Sequence, residues 1–334
     1  MDLNTIWFIL VTVLFIGFFF LEGFDYGVGI LMPFLSKDDT ERRTIINTIG
    51  PHWDGNEVWM ITAGGAMFAA FPQVYATLFS GFYLALVLML AALILRGLAF
   101  EYRSLREDPV WRARWDWAIF GGSLVPALLW GVTVGNLMRG FAIDENMNYW
   151  GGLLPLLNPF ALLGGIVFVT LFAMHGANFL ALKLEGDLAK RAKAFGAKAW
   201  IAATVSTVLL LIWSFFATDI MQQGLIPALI AAVALLLSGW YAQKGNDKLA
   251  FVMGALTVVF ATIMVFAGLF PRILISSIDP AYDLTIYNAS ASPYALKIMT
   301  IVAGIFVPIV LIYQSFAYKV FNGRISADSD NLIY

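Results

Sequence analysis

Long apolar stretches separated by short polar segments run through the whole chain, and this pattern predicts a bundle of membrane-spanning helices. A helix needs about 20 residues to cross a hydrocarbon core of about 30 Å. Nine stretches meet or approach this length, and they cover residues 6–35, 51–72, 74–102, 115–137, 157–182, 195–217, 225–241, 249–270 and 295–318. We therefore predict an all-α, polytopic membrane protein with a single transmembrane domain over residues 1–334.

The second predicted span begins with polar residues. Its apolar part, residues 58–71, would extend only about 21 Å at about 1.5 Å per residue, which is too short to cross the membrane. Gly50-Pro51 offers an earlier start, because the first turn of a helix tolerates proline. This start draws Asp54 and Glu57 into the edge of the membrane.

Lysine and arginine residues are distributed unequally between the two predicted sides of the membrane. Sixteen of the 20 lie in or beside the segments that follow the first, third, fifth, seventh and ninth spans, and two lie on the other side. Because short cytoplasmic loops collect positive charge, we predict that the N-terminus is outside and the C-terminus is cytoplasmic. Between the first two spans, SKDDTERRTIINTIG predicts a short amphipathic helix at the cytoplasmic surface, with Asp39 or Thr40 as its N-cap.

The composition narrows the class of function. Hydrophobic residues make up 60% of the chain and charged residues 13%, against about 25% charged residues in soluble domains. The chain has no cysteine, which excludes disulfides, thiolate-bound metals and iron–sulfur clusters. His52 and His175 are its only histidines, so a centre with many histidine ligands cannot lie in this chain alone. We expect membrane lipid rather than nucleic acid around it, and a first span that is retained rather than cleaved.

Ionisable residues are concentrated in the first four predicted spans. An ionisable side chain at the centre of a bilayer costs at least about 2.5 kcal/mol, so each needs a partner or a function. Two pairs of acids lie three residues apart and therefore share a helix face. The full set is Glu22, Asp25, Asp54, Glu57, Arg96, Glu101 and Asp116, and all seven are predicted to lie in the cytoplasmic half.

Two interpretations of these charges remain open. In the functional one, Asp25, Asp54 and Glu101 carry protons between the cytoplasm and a site deeper in the membrane. In the structural one, Asp54 caps the second helix, and Arg96 neutralises Asp25 or Glu101 in a buried pair. We expect Asp116, which is flanked by tryptophans at the interface, to be a structural acid.

Other polar and small residues of the spans have a structural and a functional interpretation as well. Gly23, Gly27 and Gly29 allow another helix to approach closely, or they break the first helix around an ion site, as in transporters. His52 precedes the second helix at the water interface without an evident second ligand, and His175 is expected to make a polar contact with another helix. The tryptophans lie mostly near helix ends, as in interfacial belts.

Six segments, spread in order over nearly the whole chain, carry a family likeness: LEGFDYGVGIL, GPHWDGNEVW, GGAMFAAFPQVYATLFSGFY, LRGLAFEYRS, WDWAIFGGSLVPALLWGVTVGN and LTIYNASASPYALK. Together they closely resemble subunit II of the cytochrome bd-type quinol oxidases. The resemblance implies nine transmembrane helices, arranged as two four-helix bundles and one peripheral helix. It also implies a respiratory complex of the bacterial plasma membrane that oxidises membrane quinol and reduces O2 to water, and that takes up protons from the cytoplasm without pumping.

The resemblance also implies partners and cofactors. Two haem b groups and one haem d would be ligated by a haem-bearing subunit I, the expected partner of this chain in a heterodimeric core, and a small single-helix accessory subunit is a further candidate partner. This chain would then ligate no haem or metal and hold no catalytic residue. It would support assembly of the haem sites and provide a proton path or an oxygen path toward haem d.

Individual residues match the family motifs. Asp25 matches GFD, Asp54 and Trp59 match PHWDGN-VW, and Arg96 and Glu101 match the segment that ends the third span, where some relatives carry aspartate in place of Glu101. From this match we expect Asp54 to take up protons and the other acids to relay them. Arg96 would be the charge partner, and Trp59 would form a subunit contact or part of an oxygen path.

The predicted proton path therefore consists of Asp25, Asp54, Glu101, Glu57 and Glu22. Two alternatives of another class are a proton-coupled transporter that acts as an independent chain, and a scaffold whose acids only pair with Arg96 and with helix ends.

Overall fold

Eleven α-helices make up most of the chain in this computed structural model, which describes residues 1–321, 323–326 and 332. The helices are α1 (Leu3–Leu35), α2 (Asp39–Ile49), α3 (Trp53–Ala70), α4 (Pro72–Gly81), α5 (Tyr83–Tyr102), α6 (Pro109–Arg139), α7 (Pro159–Lys183), α8 (Gly186–Ala217), α9 (Met221–Gln243), α10 (Asp247–Leu269) and α11 (Pro293–Val320). Two short antiparallel strands, β1 (Arg272–Leu274) and β2 (Leu284–Thr285), and three 3-10 turns (Arg103–Leu105, Leu154–Leu157 and Pro280–Tyr282) lie between them.

Three of the long helices begin with the same local signal. In α6, α7 and α11 a proline occupies the start of the helix, where its missing N–H is not needed. The residue before each proline uses its side chain to accept a hydrogen bond from a backbone N–H of the first turn, as favourable N-caps do. These cap residues are Asp108, Asn158 and Ser292.

Eight helices in the described part of the chain are long and apolar enough to cross a membrane: α1 and α5 to α11. The second predicted span, residues 51–72, appears as α3, which is not one of these eight because its first turns carry Asp54 and Glu57. Its 18 residues extend about 27 Å. It begins at Trp53, so the predicted start at Gly50-Pro51 is two residues too early, and nine spans remain a prediction.

The third predicted span, residues 74–102, is not one helix. It divides into α4 and α5, with a break at Phe82, whose backbone is not helical. A Cβ atom at Gly81 would lie only 3.1 Å from the ring of Tyr149. Glycine therefore admits this ring, and it also weakens the helix at that point.

The segment between the first two spans forms α2 as expected, but its N-cap is Asp38 rather than Asp39 or Thr40. The Asp38 carboxylate accepts a hydrogen bond from the backbone N–H of Glu41 at 2.9 Å. The second half of α2 is buried. The first half of α2 therefore lies at the surface, and its second half packs into the protein.

The long helices form two groups around α1, α6 and α7. In one group α1 packs on α3 and α6, and α5 packs on α6; in the other, α7 packs on α8, and α10 packs on α9 and α7. The pairs α1–α7 and α6–α7 join the groups, while α11 lies at the periphery. We call the end of the bundle that carries α2 the inner end, which the sequence predicts to be cytoplasmic, and the end that carries β1 and β2 the outer end.

The two long outer loops, near residues 139–156 and 271–294, pack on each other. The Ser276 hydroxyl donates a hydrogen bond to the Ile143 carbonyl at 2.7 Å. The Asn4 amide holds the second loop to the start of α1 through the Ile286 carbonyl at 2.6 Å. These contacts hold the loops of the outer end together.

Candidate functional site

A buried arginine holds two carboxylates from two other helices. The Arg96 side chain on α5 is fully buried, and its Nη1 lies 2.5 Å from Glu22 Oε1 on α1 and 2.7 Å from Glu57 Oε1 on α3. We call these three residues the Arg96 cluster. The predicted pairing of Arg96 with Asp25 or Glu101 is therefore wrong, because the helix rotations direct Glu22 and Glu57 toward the guanidinium.

Aromatic rings surround the guanidinium of the Arg96 cluster. Its central carbon lies 5.0 Å from the ring centre of Tyr26 and 5.4 Å from that of Phe100, within the range of cation–π attraction. Several buried atoms of this region have no hydrogen-bond partner among the described residues: Arg96 Nε and Nη2, Glu22 Oε2, Asp25 Oδ1 and the Tyr26 hydroxyl. Water is the usual partner for such buried polar groups.

Asp25 is fully buried and belongs to a separate chain of hydrogen bonds. Its Oδ2 accepts a hydrogen bond from Asn56 Nδ2 on α3 at 2.7 Å. Asn56 Oδ1 in turn accepts from the Tyr318 hydroxyl at 2.8 Å and from Gln314 Nε2 at 3.3 Å, both on α11. We call these four residues the Asn56 network.

Trp59 connects the Asn56 network to the middle of the bundle. Its indole Nε1 donates to Gln314 Oε1 at 2.7 Å. Its ring packs on Gly17, where a Cβ atom would collide with it. Trp59 therefore lies between α1 and α11 of this chain, and its role in a subunit contact or an oxygen path stays a prediction.

Asp54 and Glu101 are both exposed and do not join the buried acids directly. The cap position of α3 is His52, which makes no side-chain cap bond, and Asp54 accepts from the neighbouring Gly55 N–H at 2.7 Å. Asp54 is therefore not the cap residue itself, but it lies in the first turn of α3, where the helix end favours negative charge, as the structural interpretation expects. Glu101 lies in the last turn of α5, where a helix end disfavours negative charge.

Asp116 belongs to an ion network at the inner end. Its carboxylate lies 2.6 Å from Arg103 Nε and 3.7 Å from an Arg42 nitrogen. Arg103 also binds Asp39 at 2.6 Å, and Asp39 binds Arg112 at 2.6 Å. These pairs join α2 to the ends of α5 and α6, which supports a structural role for Asp116.

His175 is enclosed by other helices of this chain. The His175 ring stacks on Phe251 at 4.8 Å, its Nε2 hydrogen-bonds the Phe20 carbonyl at 3.2 Å, and a Cβ atom at Gly254 would lie 3.3 Å from its Nδ1. His175 thus makes the polar contact with another helix that the sequence predicts. No group of three His, Cys, Asp or Glu that could hold a metal ion occurs in the part of the chain that the structure describes.

His52 precedes α3, as predicted, and its side chain is buried. Its ring stacks on Tyr318, with 4.3 Å between the ring centres and 4° between the planes, and Phe321 lies beside it at 5.7 Å. The aromatic end of α11 encloses His52, so the residue lies in a packed environment.

The glycines of α1 serve helix packing. A Cβ atom at Gly27 would collide with the Phe172 backbone carbonyl of α7, and one at Gly29 would collide with the Ser123 side chain of α6. The helix α1 is continuous from Leu3 to Leu35, so the alternative of a helix broken around an ion site is wrong.

Asn56, Gln314 and Tyr318 are the site residues that the sequence analysis missed. Asn56 belongs to the same motif as Asp54. A polar residue at this position is easily explained by the polar start of the helix. Gln314 and Tyr318 offered a clearer signal, because two polar residues four apart in an apolar span share one face.

Comparison with known proteins decides the family. Residues 3–321 match the family model described as cytochrome bd terminal oxidase subunit II. The chain belongs to this family. It is 42% identical over 329 residues to "Cytochrome bd ubiquinol oxidase subunit 2" of Bacillus subtilis (strain 168), with 97% of each chain covered. It is 40% identical over 364 residues to "Cytochrome bd-I ubiquinol oxidase subunit 2" of Escherichia coli (strain K12), with 98% of this chain and 96% of the relative covered.

The fold is also found in a solved structure of a bd oxidase. The chain resembles "The structure of bd oxidase from Geobacillus thermodenitrificans" with a TM-score of 0.77 at 18% identity, covering 96% of this chain and 100% of that chain. As a member of the subunit II family, the chain is a component of a terminal oxidase and a multi-pass protein of the bacterial plasma membrane. The alternative of an independent transporter is therefore wrong.

Proposed function

We propose that this chain provides the proton-uptake path of a quinol oxidase, from the cytoplasm toward an oxygen-reducing haem in a partner subunit. The observation that carries the proposal is a gradient of exposure along the acids of α3 and α1. Asp54 is exposed, Glu57 keeps 18% of its side-chain surface exposed, and Glu22 and Asp25 are buried. Successive acids therefore lead from the surface into the bundle.

The acids of the site outnumber the cations beside them, and this imbalance favours the binding of protons that can be exchanged. Glu22, Asp25 and Glu57 share a single guanidinium, that of Arg96, among the described residues close to them. Like charges held close together in a buried place favour binding of a proton by one of them. The buried atoms without protein partners offer water positions next to these carboxylates.

We assign Asp54 and Glu101 as the outermost groups of this path, and Asp25, Glu22 and Glu57 as the relay groups. Arg96 would keep a neighbouring carboxylate ionised. The relatives in Bacillus subtilis and Escherichia coli are named as ubiquinol oxidase subunits, and we infer membrane quinol as the electron donor here. The two haem b groups and the haem d would be ligated by subunit I; the stacking of His52 on Tyr318 and of His175 on Phe251 supports this assignment.

The path is tested by removing the charge of single acids. We expect Asp25→Asn to lower quinol-dependent oxygen consumption by about tenfold, because loss of a proton-transferring group typically costs at least that much. Asp54→Asn should slow it by a smaller factor, since an exposed group can be bypassed by water. The measurement is the turnover of the purified complex, with the visible spectrum of the haems as the measure of assembly.

Asp187→Asn is the matched control. It makes the same change at the inner end of α8, where the side chain is 80% exposed and pairs with Lys190. It should leave turnover unchanged. If assembled Asp25→Asn and Asp54→Asn complexes both keep wild-type rates, the proton path does not run through these acids.

An apolar cavity that is partly open at the surface favours an oxygen path as a second candidate function. It measures about 710 Å³ and is lined almost entirely by apolar side chains, such as Met60, Phe68 and Trp130. Oxygen is apolar and would partition into such a space. Gly64 also lines the cavity, and a Cβ atom at this position would have no neighbour within 4 Å.

Gly64→Leu should therefore narrow the cavity without a clash. We expect the oxygen concentration at half-maximal rate to rise about threefold, with the rate at saturating oxygen unchanged, because only access is impeded. Gly304→Leu, at an exposed glycine of α11 with no neighbour within 4 Å, is the control. An unchanged oxygen dependence in Gly64→Leu would argue against this path.

A further inference from the structure

The helix α11 is held to the bundle chiefly at its two ends. Of its residues, all of which are described, only Leu296 is buried. Near the outer end the Trp7 indole donates to the Leu296 carbonyl at 3.1 Å and to the Thr300 hydroxyl at 3.0 Å. The middle of the helix is exposed; Ile305 and Ile312, for example, are 56% and 71% exposed. The inner end therefore depends on contacts of its own.

The inner end makes several hydrogen bonds in addition to the aromatic contact of Tyr318 with His52. Tyr318 and Gln314 both donate to Asn56 Oδ1, at 2.8 and 3.3 Å, and Gln314 accepts from the Trp59 indole at 2.7 Å. Hydrogen bonds between side chains are a common means of joining helices in membranes, where apolar surface gives little driving force. Here three such hydrogen bonds lie next to the buried Asp25.

These hydrogen bonds also fix the orientation of the Asn56 amide. An amide has one acceptor oxygen and one nitrogen that donates twice. Because two donors from α11 approach Oδ1, the nitrogen faces Asp25 and donates to its Oδ2 at 2.7 Å. The reverse orientation would place the amide oxygen against the carboxylate. The end of α11 therefore determines whether Asp25 meets a donor or an acceptor.

We infer that Tyr318 and Gln314 are positioning residues for Asp25: they hold the Asn56 amide so that it donates to the Asp25 carboxylate, and they thereby set the protonation equilibrium of this acid. The inference rests on the proposed proton path. The other charged groups around Asp25 are Glu22 on α1, Glu57 on α3 and Arg96 on α5. None of them is on α11, so a change in α11 leaves these charges in place.

The first test is Tyr318→Phe, which removes the hydroxyl and keeps the ring that stacks on His52. We expect an assembled complex with a wild-type haem spectrum, a turnover reduced about threefold, and a pH profile of oxygen consumption displaced by about 0.5 to 1 unit, as expected for the loss of one hydrogen bond. Tyr313→Phe removes the same hydroxyl from a position that is 72% exposed, and it should change neither quantity.

Gln314→Met is the second test, and it decides the question if Tyr318→Phe does not assemble. It removes the second donor to Asn56 Oδ1 and adds no charge near Asp25. We expect a displacement of the pH profile in the same direction as in Tyr318→Phe but smaller, because this hydrogen bond is the longer one, 3.3 Å against 2.8 Å. Wild-type turnover and a wild-type pH profile in the assembled variants would overturn the inference.

A double variant separates this inference from the proposed path. If Tyr318 acts through Asp25, then Tyr318→Phe should have no further effect in an Asp25→Asn background. Additive losses would show that Tyr318 acts elsewhere and would overturn the inference. A slow Asp25→Asn complex beside a normal Tyr318→Phe complex would overturn the inference alone, whereas a normal Asp25→Asn complex would overturn the proposed role of Asp25 and the inference with it.

Discussion

Replacement of Arg96 by methionine is expected to prevent the complex from accumulating in the membrane. The side chain is fully buried and carries the cation that faces Glu22 and Glu57. Removal of one partner from a buried ion pair typically costs about 3 to 5 kcal/mol, because the remaining charge has no compensation. Such a loss is a large part of the stability of a typical protein. The measurement is the amount of chain and of haem absorption per unit of membrane protein.

Compensating changes make the Arg96 prediction specific. A complete buried ion cluster can often be replaced by neutral groups at little cost, in contrast to one partner alone. The triple variant Arg96→Met, Glu22→Gln and Glu57→Gln should therefore recover much of the lost accumulation, although its turnover should stay low. Normal accumulation of Arg96→Met by itself would mean that the two acids do not need this cation.

The second large effect is expected for Gly27→Ala at the crossing of α1 and α7. The added Cβ atom would collide with the backbone carbonyl of Phe172, and a backbone oxygen inside a helix cannot move aside alone. Overpacking of this kind typically costs about 1 to 3 kcal/mol, and we expect the upper end because main chain meets main chain. The midpoint of thermal loss of the haem spectrum should fall by several degrees.

Gly121→Ala is the control for this crossing. A Cβ atom at Gly121 would have no neighbour within 4 Å, and the glycine lies on the long helix α6. The same methyl group should therefore leave the thermal midpoint unchanged. Equal midpoints for Gly27→Ala and the wild type would contradict the close approach of α1 and α7.

Hydropathy was sufficient to predict where most helices lie. Apolar runs report burial in lipid or protein directly, so the centres of the predicted spans coincide with helices. The ends were less accurate. The helix α6 begins at Pro109 and α8 at Gly186, several residues before the predicted starts at 115 and 195, because their first turns are polar. The break at Phe82 left no hydropathy signal at all.

The predicted partners of Arg96 were wrong, and the proton path itself stays a prediction. Spacing along one helix shows which acids share a face, and so Glu22 and Asp25 were recognised together. It does not show the rotation of one helix against another, which decides that Arg96 meets Glu22 and Glu57. Tyr318 is 262 residues from Asn56 in sequence, and only tertiary packing brings them together.

The glycine contact between α1 and α7 has a mechanical consequence. Gly27 and Gly176 place the two main chains against each other, with no side chains between them that could change rotamer. A sliding or rocking movement at this point would drive backbone into backbone. The contact therefore holds α1, the helix that carries Glu22 and Asp25, in a fixed position against α7.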